Sequence, residues 1–118
     1  MGMFAKLFGK QPAPSPKRVD HAVLVNFDYI GSTDLTLLFD LETKLEAAIG
    51  AAKVGELDGN EVATDGSDGT LFMYGPDADR LFEAVKPVLE RCSFMRGARV
   101  TLRYGSPGAN QRELVLGS

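Results

Sequence analysis

The chain has 118 residues, 44% of them hydrophobic and 25% charged, which points to one globular domain able to bury a core without staples. One cysteine, Cys92, excludes an intramolecular disulfide and suits a reducing, cytoplasmic setting. No apolar run approaches the roughly 20 residues of a membrane span, and Met3 to Phe8, broken by Lys6, is too short for a signal peptide.

The net charge of −3 hides an uneven layout. Residues 1–18 carry Lys6, Lys10, Lys17 and Arg18 with no acid. Residues 28–79 carry twelve acids against Lys44 and Lys53, a net −10. Residues 91–112 carry five arginines and no acid. A folded surface commonly mixes such blocks; the functional alternative is a charged patch for a ligand or partner of opposite sign.

In chain order, residues 1–18 read as a flexible basic arm. Its Gln11-Pro12-Ala13-Pro14-Ser15-Pro16 stretch can be neither helix nor central strand. Residues 19–118 read as a single α+β domain. Ala22 to Tyr29 predicts a strand with Val23, Val25 and Phe27 on the core face and Leu24, Asn26 and Asp28 on the other. Gly31 to Asp34 supplies turn and N-cap residues for a helix over 35–52, with its apolar stripe at Leu35, Leu38, Leu41, Leu45, Ala48, Ile49 and Ala52.

Val54 to Val62 and Thr70 to Tyr74 read as strands joined by a hairpin. Asp77 caps a second helix whose apolar face is Leu81, Phe82, Val85, Val88, Leu89 and Cys92; Pro87 predicts a kink or restart within it. Ala98 to Tyr104 alternates as a strand, and Glu113 to Leu116 reads as a further short C-terminal one. The order β-α-β-β-α-β matches the ferredoxin-like arrangement, with both helices on one face and the other face of the sheet open.

Chemical motifs are sparse. The Asp- and Gly-rich loop 63–69 lies between two strands, whereas a phosphate cradle lies between a strand and a helix N-terminus. It lacks the ligand spacing of an EF-hand, so its expected role is a turn. His21 is the only histidine, and Cys92 on an apolar helix face is expected to be buried and inert. Neither a cofactor nor a metal site is suggested. Phe72 and Tyr74 could stack bases, but the RNP-type aromatic signature is absent and the acidic middle opposes nucleic acid.

The segments Val54-Gly55-Glu56, Asp58 to Glu61, Leu71 to Asp79 with its Tyr74-Gly75-Pro76-Asp77-Ala78-Asp79, and Arg103-Tyr104-Gly105 with Pro107-Gly108 resemble a group of small stand-alone bacterial proteins of unassigned activity. The resemblance covers roughly residues 20–116 and implies a bacterial origin and a shared fold, with no catalytic residue to carry over. By size and charge alone, the chain is also similar to immunity proteins, which occupy the basic active sites of toxins.

These readings predict a non-enzymatic binding module for another macromolecule, an immunity-type inhibitor of a basic toxin being its sharpest form. Its candidate surface comprises Asn26, Asp28, Glu61, Tyr74, Arg99 and Arg103. An open sheet face or edge strand also admits a homodimer. Two alternatives are a regulatory site for a small anion at Arg99 and Arg103, and acid–base catalysis by Asp28 with Glu61.

Overall fold

A computed structural model describes residues 20–28, 35–63 and 67–117. The basic arm, the turn expected at 31–34 and the tip of the 63–69 loop lie outside or partly outside the described residues. The elements are β1 (His21–Asp28), α1 (Thr36–Ala52), β2 (Glu56–Val62), β3 (Asp68–Gly75), α2 (Ala78–Glu90), β4 (Arg99–Arg103) and β5 (Gln111–Val115). Among the described residues the fold is α+β: two helices and one five-stranded sheet, ordered β2-β3-β1-β4-β5, with every neighbouring pair antiparallel.

Strand alternation decides what each face meets. Val23, Val25 and Phe27 of β1, Leu71 and Met73 of β3, and Val100 and Leu102 of β4 are buried. They join Leu38, Leu41, Leu45 and Ile49 of α1 and Leu81, Phe82, Val85 and Leu89 of α2 in one core. Helical three- and four-residue spacing and strand two-residue spacing thus point their apolar sets at a common layer. A fully buried leucine there stabilises by about 1.5–3 kcal/mol relative to exposure.

Helix α1 ends at Lys53, which adopts the left-handed conformation at φ 56°. Its N–H reaches the Gly50 carbonyl at 3.2 Å, and Val54 N–H reaches Ile49 at 3.3 Å, so two terminal carbonyls are satisfied. Helix α2 begins at Asp77, whose carboxylate accepts from the Asp79 and Arg80 amides at 3.0 and 3.2 Å. The helix runs as one element through Pro87 to Glu90, so the expected restart does not occur. Proline there removes a single helical donor, and the apolar face that continues to Leu89 holds the last turn on the core.

Cys92 lies just past this helix, half-buried, rather than on it. Its amide bonds the Leu89 carbonyl at 3.0 Å, and a 3-10 turn, Ser93–Met95, leads into β4.

Gly55 and Gly75 permit one close backbone crossing. A Cβ on Gly75 would stand 2.2 Å from the Val54 carbonyl oxygen, and one on Gly55 2.1 Å from that of Tyr74. The start of β2 and the end of β3 approach this closely because neither has a side chain. The crossing delivers the chain directly into Pro76 and the Asp77 cap.

Candidate functional site

The predicted residues meet on the second face of the sheet. Helices α1 and α2 pack on the Val23-Val25-Phe27 side. Among the described residues, no helix covers the face bearing Leu24, Asn26, Phe72 and Tyr74. Register fixes this face as a grid. One row runs Glu61, Thr70, Asn26, Arg99, Val115 across β2-β3-β1-β4-β5. The next runs Gly59, Phe72, Leu24, Thr101, Glu113, and the third Glu56, Tyr74, Ala22, Arg103, Gln111.

The centre of the grid is apolar. Phe72 and Leu24 are directly opposed on β3 and β1 and half-buried by their neighbours. Ala22 is fully buried although it has no helix above it, because it sits between the larger Tyr74 and Arg103. Burial, and then the negative charge of Asp58, push the Tyr74 phenol above its ordinary 10.0, while Arg103 acts in the opposite direction.

The borders are charged with opposite signs. Glu56 and Glu61 stand on β2, and Arg99 and Arg103 stand on β4. Asn26 ties three strands together: its Nδ2 donates to Gly69 O and Thr70 Oγ1, each at 3.1 Å, while its Oδ1 accepts from Arg99. Arg103 turns the other way and donates from Nε to Gly105 O at 2.9 Å.

All six sequence-predicted residues, Asn26, Asp28, Glu61, Tyr74, Arg99 and Arg103, share one face. The arginines do not converge, however. Four residues apart on a strand, their backbones are about 13 Å from each other, and each guanidinium is directed to a different partner. Asp28 and Glu61 lie on strands with β3 between them, so their backbones are at least about 10 Å apart. Asp28 is opposed instead by Asp68.

One contributor, Glu56, escaped the sequence reading. Glu56 and Glu61 are five residues apart and would face opposite ways in a regular strand. The bulge between Leu57 and Gly59 brings both onto the open face. Leu24 was legible as a member of this face, but its partnership with Phe72 required the register.

A second polar cluster forms at one end of the sheet. Ala78 N donates to His21 Nδ1 at 3.0 Å, so the lone histidine receives the helix amide on that nitrogen. Its ring meets Tyr104 edge-on at 5.7 Å between centroids. Tyr104 donates to Asp79 Oδ1 at 2.8 Å, and Arg112 approaches the same oxygen at 4.0 Å. The hydrogen bond to Asp79 is the main influence holding the Tyr104 phenol above 10.0. The cluster fastens β1, α2 and the β4–β5 turn together, a structural task. Burial likewise pushes the Cys92 thiol up, away from a reactive thiolate.

Among the described residues, no group of three or more histidine, cysteine, aspartate or glutamate side chains is placed to hold a metal ion, and no helix is long and apolar enough to cross a membrane. No family model matches the chain, and neither a curated protein nor a solved structure does.

Proposed function

We propose that this chain is a small, non-enzymatic, bacterial binding module that engages another protein through the open sheet face. The single observation carrying the proposal is the half-buried Phe72–Leu24 pair at the centre of that face, bordered by glutamates on β2 and arginines on β4. An apolar centre within a polar rim is the arrangement from which protein interfaces gain affinity at the middle and selectivity at the edge.

The finer fold reading is ferredoxin-like. Its support is the order β2-β3-β1-β4, in which α1 joins β1 to β2 across β3, and α2 joins β3 to β4 across β1. Strand β5 then extends the sheet beyond that plan. A cytoplasmic setting rests on the single cysteine.

A basic partner of the kind an immunity-type inhibitor meets would favour the β2 border. A small-anion site is less well supported, because Arg99 and Arg103 diverge. Acid–base catalysis is less well supported too, because Asp28 and Glu61 stand on strands separated by β3.

The test is affinity capture with full-length wild-type and Phe72→Asp baits from a bacterial lysate, read by mass spectrometry. Binding through the open face should give a protein captured stoichiometrically by wild type and lost with Phe72→Asp. Identical capture by both folded baits would remove the open face as the binding surface.

A further inference from the structure

We infer that the protein engaged by the open face is a second copy of this chain, seated face to face about a two-fold axis parallel to the strands and lying between β1 and β3. The inference rests on the binding-module reading and specifies its partner.

Rotation about such an axis exchanges β1 with β3 and β2 with β4 while leaving the rows in place. Phe72 of one copy then lies over Leu24 of the other, and Leu24 over Phe72. In the same operation Glu61 lies over Arg99, and Glu56 over Arg103. Each contact occurs twice, as two-fold symmetry requires. An axis perpendicular to the strands, within the same plane, places β2 over β2 and β4 over β4. It opposes like charges on both borders. The charge layout therefore selects one of the two face-to-face arrangements.

Engagement with other groups does not remove the arginines from this role. A guanidinium carries five N–H donors, and the bonds to Asn26 and Gly105 hold each side chain without exhausting them. Glu113 of β5 maps beyond the partner's β2 and falls outside the contact. Edge-to-edge pairing is the competing way for two sheets to meet, and both edges resist it. Strand β2 carries its bulge, and β5 is five residues long with Arg112 and Glu113 on it.

One end of the interface opposes association. Asp28 of each copy lies over Asp68 of the other, so four carboxylates gather there. The four overlapping strands, at about 4.8 Å spacing, and three rows cover a flat footprint of about 400 Å². That is about half of the roughly 800 Å² per partner that a standard specific interface buries, the size of a weak, transient encounter. The dimer is accordingly reversible and concentration-dependent.

Sedimentation of the full chain across a wide concentration range tests this, with wild type, Glu61→Arg and Arg99→Glu run alone and mixed. Each single variant opposes like charges in its own dimer and should associate about tenfold more weakly than wild type. Mixed one to one, the arginine introduced at position 61 of one chain meets the glutamate introduced at position 99 of the other, and the native pair survives on the opposite side. The mixture should therefore dimerise about tenfold more tightly than either component alone. Asp28→Asn should tighten the wild-type dimer severalfold, and high salt should weaken it.

Circular dichroism confirms folding of each variant. If Arg99→Glu fails to fold, Glu56→Arg and Arg103→Glu give the same readout. A wild-type chain that stays monomeric throughout, or a mixture no heavier than its parts, overturns the inference. In that event the capture experiment decides the broader reading. Loss of a different captured protein with Phe72→Asp keeps the binding module with another partner, and indifference to the substitution removes both.

Discussion

Leu71 and Phe72 are neighbours in the chain and live on opposite faces of the sheet. Leu71 is fully buried under the helices, within a layer whose members are all apolar. Phe72 is half-buried on a face that also carries glutamate, asparagine, threonine and arginine. The first face excludes water through packing of the chain on itself, and its composition is what folding demands. The second keeps an apolar centre, Phe72 opposite Leu24, within a polar surround. The difference assigns stability to the first side and leaves the second free for the recognition proposed above.

The two faces should differ in their response to substitution. Leu71→Ala and Leu81→Ala should each lower unfolding free energy by about 2–5 kcal/mol in urea titrations, since each leaves a cavity in the shared core. Phe72→Thr should lower it by about 1 kcal/mol, in line with a half-buried site, and leave the far-ultraviolet spectrum unchanged. Equal losses at positions 71 and 72 would erase the distinction between the faces.

Gly75→Ala should cost about 1–3 kcal/mol by the same measurement, because the added methyl meets backbone rather than a side chain that can move. Asp77→Ala should cost about 1 kcal/mol through loss of the α2 cap. At the other end of the scale, Lys53→Gly should raise stability by about 0.5–1 kcal/mol, because glycine takes the left-handed conformation without the Cβ penalty.

Two tyrosines make stability depend on pH at the alkaline end. Both Tyr74 and Tyr104 have phenols raised above 10.0 in the folded chain. An acid whose folded pKa is raised is held in its protonated form by folding. The stability it contributes is complete below the unfolded value of 10.0 and is lost as pH rises through the folded one. Urea midpoints should fall above about pH 10, and Tyr104→Phe should flatten that fall without altering association. Tyr74→Phe should also flatten it, and because Tyr74 lies on the open face, its association constant should change as well.

Much of this was readable from residue order. Period-two alternation in β1 and β4, and the three-and-four spacing of the helices, placed the core because burial imposes those periods directly. Asp77 was legible as a cap because a carboxylate before a helical run satisfies orphan amides. Pro87 does not split α2, because packing at Val85 and Leu89 on either side outweighs the cost of one missing helical donor.

The candidate site was only half legible. Asn26, Arg99 and Arg103 followed from alternation alone. Glu56 did not, because a one-residue bulge inverts the alternation along β2 and leaves no unambiguous trace in residue type. The pairing of Phe72 with Leu24 depends on how strands distant in sequence align. The divergence of Arg99 and Arg103 depends on side-chain partners in β1 and in the turn after β4.

The open face is not the only exposed apolar surface. Leu37 and Phe39, near the start of α1, are 58% and 48% exposed. Hydroxyl-radical footprinting of the full chain as its concentration is raised separates the two directly. Association through the open face predicts falling oxidation at Phe72 and Tyr74 with Leu37 and Phe39 unchanged. Protection at Leu37 and Phe39, with Phe72 and Tyr74 as reactive as in dilute protein, would contradict it.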